Sequence, residues 1–170
     1  MKRRRPGSVC VATDFRSAIE VLADADVEFI IVGGLAATVH GSARLTQDLD
    51  IVYRRTHENL ERLTAALRPY APYLRGAPPG LPFVLDADTV RRGLNFTLTT
   101  SLGPLDLLGE IAGAGTYEEI LPDSVETALF GRTCRVIGLS TLIRAKRAAG
   151  RPKDLEAIAE LEALLEERGT

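Results

Sequence analysis

The stretch that most constrains this chain is residues 28–53, EFIIVGGLAATVHGSARLTQDLDIVY. Phe29 to Val32 is an uninterrupted apolar run and reads as a buried strand. Gly33 and Gly34 follow, and Leu35 to His40 can be helical. A polar turn, Gly41 to Gln47, leads to a second strand-like run that carries Asp48 and Asp50. Side chains alternate along a strand, so carboxylates at i and i+2 share a face. Neither acid is needed for folding, and the rest of the chain reads as scaffold for this unit.

At 170 residues, with 45% hydrophobic and 26% charged residues, the chain can bury one core and carry a small helical appendage. A formal net charge of −2 argues against holding nucleic acid by bulk electrostatics. No apolar run approaches the roughly 18 residues a membrane span needs. The basic start, with Lys2, Arg3, Arg4 and Arg5, is followed by too short an apolar segment for a secretion signal and reads as a mobile tail. A cytoplasmic location and no membrane partner are expected. Cys10 and Cys134 lie far apart among apolar residues and read as buried thiols, and no Cys/His cluster has zinc spacing.

Thr13 can cap a helix from Asp14 to about Ala25, and Thr56 a helix to about Leu67, which Pro69 and Pro72 stop. Residues 68–82, rich in Pro and Gly, read as an irregular loop, either a lid or substrate rim or a connector. Asp86 to Arg92 reads as a short helical turn. Leu94 to Thr100 and Pro104 to Leu108 read as a hairpin, with Asp106 facing away from Leu105 and Leu107. Residues 110–123 read as irregular, and 125–130 with 133–137 as a second hairpin. Ser140 or Thr141 would cap a helix to about Ala149, ended by Gly150. A last helix would start at Pro152 and pack through Leu155, Ile158, Ala159, Leu161, Leu164 and Leu165.

The glycine pair lets backbone approach a ligand closely, and free N–H groups of a helix starting there favour phosphate. Ser42, Arg44 and Thr46 add hydroxyls and a cation nearby. Two like-charged carboxylates cannot hold phosphate themselves. Joined by a third from a neighbouring strand, for which Asp106 is the candidate, they can hold two divalent ions. Oxygen ligands suit Mg2+, with Mn2+ as the alternative. That constellation suits transfer of a nucleotide from a nucleoside triphosphate to a hydroxyl, with the basic C-terminal region adding positive charge.

The spacing from Gly33-Gly34 to Asp48-Leu49-Asp50-Ile51 resembles the signature of the DNA polymerase β-like nucleotidyltransferase superfamily. The fuller string VGGLAATVHGSARLTQDLDI resembles its branch of AbiEii-type toxins, and LSTLIRAKRAAGRPKDLEAIAEL resembles the helical segment that follows the core there. The resemblance implies an α/β (α+β) nucleotidyltransferase fold, a small mixed β-sheet flanked by helices. It implies a catalytic unit over 1–138 and a short helical segment over 139–170. It implies that Asp48, Asp50 and Asp106 hold the metals, that Gly33 and Gly34 lie against the triphosphate, and that Arg44, Thr46 and Lys146 lie near the nucleotide. Asp154 would orient a basic residue or cap the last helix. Members of that branch carry a larger C-terminal helical part, so a partner or a homodimer is expected to complete the site here.

The leading expectation is therefore a two-metal nucleotidyltransferase. Its acceptor is left open among tRNA, a protein and a small molecule such as an aminoglycoside, and it would be the toxin of a toxin–antitoxin pair with a cognate antitoxin. The alternative is a module that binds nucleotide, or an antitoxin, without catalysis. Phosphohydrolysis is a third class, for which only His40 offers a nearby base, and His40 reads better as a residue packed beneath the turn.

Overall fold

The computed structural model describes residues 13–169. The basic tail and Cys10 lie outside the described residues. Helix α1 (Phe15–Asp24) starts at Asp14, whose carboxylate accepts from the Ser17 N–H at 3.0 Å. The expected cap, Thr13, instead donates its hydroxyl to the Gln47 carbonyl. Strand β1 (Phe29–Val32) is buried throughout and runs straight into helix α2 (Gly33–His40). Strand β2 (Leu49–Tyr53) begins one residue after Asp48, so Asp48 stands at its mouth and Asp50 within it. Helix α3 (His57–Leu67) is capped by Thr56, which accepts from Asn59 N–H, and buries Leu60, Leu63 and Leu67.

Two segments that read as irregular carry structure. Within 68–82, a 3-10 turn spans Arg68–Tyr70 and a two-residue strand β3 (Tyr73–Leu74) pairs antiparallel with a later strand. Such a short edge strand has no alternation to detect and is made only by its partner. After helix α4 (Ala87–Arg92) come the hairpin strands β4 (Asn95–Thr100) and β5 (Gly103–Leu108). Within 110–123, strands β6 (Glu110–Ile111) and β7 (Gly115–Thr116) form a small ribbon. Helix α5 (Tyr117–Ile120) follows, opened by a capping box between Thr116 and Glu119. Strands β8 (Val125–Leu129) and β9 (Arg132–Val136) form the second hairpin. Helix α6 (Leu139–Ala149) ends at Gly150 in the left-handed conformation, and helix α7 (Pro152–Arg168) closes the chain.

Among the described residues, seven strands make one mixed sheet in the order β3-β4-β5-β2-β1-β9-β8. The central strands β5, β2 and β1 bring Asp106, Asp50 and Val32 onto one rung, with β2 parallel to β5 and antiparallel to β1. Ile30, Ile31, Leu49, Ile51, Leu98 and Leu107 are fully buried, and residues of α1, α2, α3, α6 and α7 complete the same core. At about 25 cal/mol per Å2 of apolar surface removed from water, each such aliphatic side chain contributes roughly 2 kcal/mol. Helix α7 buries Ala157, Ile158 and Leu161. Leu155 is 58% exposed and Leu165 is exposed as well, so the packing face is narrower than the sequence pattern suggests. Cys134 is a buried thiol, as read, and burial raises its pKa. Among the described residues no helix is long and apolar enough to cross a membrane.

Candidate active site

The site forms where β1 turns into α2. Gly33 has φ +65°, and a Cβ there would overlap the Asp50 carboxylate. A Cβ on Gly34 would lie 2.6 Å from the Cβ of Thr46. The first glycine thus gives room to an acid, and the second to the turn that precedes β2. No side chain caps the start of α2 at Val32, so its first N–H groups are left without a side-chain acceptor.

Asp50 and Asp106 are direct neighbours across parallel strands. Burial, then the Asp106 charge and hydrogen bond, then the Asp48 charge push the Asp50 carboxyl up to about 7, against a smaller opposing pull from Arg75. Crowding of acids in a half-buried place is costly without a cation. Arg75 supplies one positive charge. Its guanidinium donates to Asp106 Oδ1 at 2.9 Å and to the Leu98 carbonyl at 2.7 Å, and it stands 3.7 Å from Asp48 Oδ2. Arg75 was not singled out in the sequence, because it sits among prolines and glycines with nothing to mark the strand that fixes it.

Among the described residues, no group of three His, Cys, Asp or Glu side chains is already arranged as a metal cage. The charges of Asp48, Asp50 and Asp106 ask for a cation nonetheless, and the charge argument weighs more. The Asp48 side chain is 44% exposed and its contact with Arg75 is too long for a hydrogen bond, so changing its rotamer costs little. An all-oxygen donor set of this kind fits a hard divalent ion.

Two cavities meet at these acids. One, of about 420 Å3, is lined by Gly33, Gly34, Ser42, Arg44, Thr46 and Lys153 among others. Its polar turn is tied to α7. The Ala43 N–H and the Ser42 hydroxyl donate to Glu160 at 2.9 and 3.2 Å, and Arg44 Nε donates to the same carboxylate at 3.2 Å. Ser42 and Arg44 therefore line the cavity while engaged by an acid of the last helix. The other cavity, of about 380 Å3, extends past Asp106 and Asn95 between apolar residues such as Leu108, Ile111, Leu142 and Ala145. Gly33, Asp48, Asp50, Lys146, Arg151, Lys153 and Asp154 line both.

Asp154, for which the resemblance implied orienting a basic residue or capping the last helix, is 2% exposed and contacts basic residues. It accepts from Arg151 at 2.6 and 3.3 Å and lies 3.8 Å from the Lys146 ammonium. Desolvation lowers the Lys146 pKa, against the raising effect of Asp154. Arg151 and Lys153 belong to the lining as much as Lys146 does. The sequence signal for them was the basic run 144–153, which also describes a solvated helix face. His40 is buried at the end of α2, with Nε2 2.6 Å from the Ile137 carbonyl and Nδ1 3.0 Å from Arg168, and it lines neither cavity.

No family model matches the sequence, and no curated protein matches it. Among solved structures, the chain is similar to the lincosamide antibiotic adenylyltransferase LnuA in its lincomycin-bound crystal form. The TM-score is 0.59 at 15% identity, over 90% of this chain and 98% of that one. The likeness establishes a shared fold, a mixed sheet flanked by helices.

Proposed function

We propose that this protein is a metal-dependent nucleotidyltransferase, moving a nucleoside monophosphate from a nucleoside triphosphate onto a hydroxyl acceptor. The observation that carries the reading is the rung that sets Asp50 beside Asp106, with Asp48 at the mouth of the same strand and an uncapped helix start next to them. The fold shared with an adenylyltransferase supports it. Asp48, Asp50 and Asp106 would hold the metal ions. Bound Mg2+ or Mn2+ would lower the pKa of the acceptor hydroxyl and neutralise charge on the triphosphate. The acceptor oxygen forms its bond to the α-phosphorus as the bond to the bridging pyrophosphate oxygen breaks, and the hydroxyl proton passes to solvent.

The chain's own contribution is positioning and charge. Gly33, Gly34 and the start of α2 would present N–H groups to the phosphates, with Thr46 and Ser42 beside them. Lys146, Arg151, Lys153 and Arg44 would take up negative charge on the departing pyrophosphate. In-line attack puts the acceptor on the far side of the α-phosphorus from the glycine turn, so the cavity past Asp106 would take it.

The name of LnuA makes ATP and a lincosamide the first donor and acceptor to try, with an aminoglycoside, tRNA and total cell lysate after them. The test is label transfer from each α-labelled triphosphate with Mg2+ present, against an Asp48→Ala/Asp50→Ala control. No transfer above the control to any acceptor would sink the enzyme reading. Mg2+-dependent triphosphate binding without turnover would turn it into a binding module. A toxin role rests on the resemblance of 32–51 and 139–161 alone. Growth arrest on expression, relieved in the double-alanine protein, is its test.

A further inference from the structure

Arg75 belongs to no motif in the chain, yet its geometry is tied to the candidate metal ligands more closely than that of any other described cation. Its main-chain N–H donates to the Thr97 carbonyl at 2.9 Å, and Thr97 is the residue paired with Asp106 across β4 and β5. Its side chain returns to the same place, to the carbonyl of Leu98 and to Asp106 Oδ1. Backbone and guanidinium thus both end on the Asp106 rung. Gly76 follows with φ +78° and turns the chain away at once. The Arg75 Nε is buried with no hydrogen-bond partner. A buried donor left unpaired is costly. The guanidinium plane is therefore set by Asp106 and Leu98, at the expense of its own satisfaction.

We propose that Arg75 is a positioning residue of the transfer reaction: by holding Asp106 Oδ1 with Nη2 while Nη1 faces Asp48, it leaves the other Asp106 oxygen free for Asp50 and a shared divalent ion. The proposal rests on the metal-dependent reading. A lysine would keep the charge, but its single ammonium cannot reproduce a planar group whose Nη2 donates to both the Leu98 carbonyl and Asp106 Oδ1 while its Nη1 faces Asp48 Oδ2 at 3.7 Å. Partners of this kind behind a metal ligand typically govern 10–100-fold in affinity or activity.

The experiment uses Mn2+ alone as the probe, titrated into the full chain and read by electron paramagnetic resonance. Arg75→Lys keeps the charge, so the Coulomb effect on the ion is held nearly constant. The expected result is at least about ten-fold weaker Mn2+ binding in Arg75→Lys, with circular dichroism and unfolding in EDTA close to wild type. In an Asp106→Asn background the same change should cost less than about two-fold, because its route through Asp106 is gone. Equal or tighter Mn2+ binding in Arg75→Lys overturns the proposal, and so does an undiminished loss in the Asp106→Asn background. Absence of Mn2+ binding to the wild type, by contrast, overturns the metal-dependent reading itself and this proposal with it.

Discussion

Replacing Asp50 by Asn should make the metal-free protein more stable at neutral pH and flatten its pH dependence. The folded-state pKa of Asp50 is raised to about 7, mainly by burial and then by Asp106. Between the unfolded value near 3.8 and that folded value, the native state binds more protons than the unfolded chain. Stability therefore falls as pH rises through this window and stays low above it. The rise from 3.8 to about 7 corresponds to at most about 4 kcal/mol. An asparagine keeps the shape, carries no charge and can donate to Asp106, so the variant escapes this cost. For a chain of this size the gain at about pH 8 amounts to roughly ten degrees in Tm. The assay is thermal or urea unfolding in EDTA at about pH 5 and about pH 8 for both proteins. Mg2+ or Mn2+ should then restore stability at the higher pH to the wild type and not to the variant. Parallel pH dependences, or an Asn variant less stable than wild type at about pH 8, would refute the picture of an acid cluster awaiting a cation.

Three further outcomes are expected. Gly33→Ala forces a side chain onto a residue with φ +65° and into the Asp50 carboxylate, so it should cost about 1–3 kcal/mol in unfolding experiments and abolish metal-dependent label transfer. Glu160→Gln removes the charge that draws in the Ala43 N–H, Ser42 and Arg44. Triphosphate affinity by calorimetry should fall roughly five- to ten-fold, with only about 1 kcal/mol lost in stability. Asp154→Ala leaves Lys146 and Arg151 without their buried partner and should cost about 3 kcal/mol, while raising KM for the triphosphate more than it lowers kcat.

Much of the candidate site's geometry was legible because its parts are local. Val32, Gly33 and Gly34 are adjacent, and Asp48 and Asp50 obey the two-residue period of a strand, so the strand–helix–strand unit can be read directly. Asp106 was also legible, as a lone acid between Leu105 and Leu107 in a strand whose other face must be buried. Arg75 was not legible. Strand β3 has two residues and exists only because β4 offers it an open edge, so no periodicity announces it. Glu160 was hidden for a related reason. On a helix whose outer side is rich in glutamate, nothing in the spacing marks the one that reaches back to Ser42, Ala43 and Arg44. Leu155 shows the converse error, since a helical stripe reports what could be buried and not what the neighbouring helix leaves uncovered.

The sequence by itself determined the types and order of the central elements and the acids they carry, because hydrophobic period and glycine placement act within a few residues. Only the tertiary structure decided that Asp50 and Asp106 share a rung, that Arg75 returns to Asp106 through an edge strand, and that Asp154 gathers Lys146 and Arg151 above the glycine turn. The first two pairings join segments tens of residues apart, and the third joins two helices across the turn at Gly150. They depend on sheet order and helix packing, in which burial of the whole core outweighs any local preference.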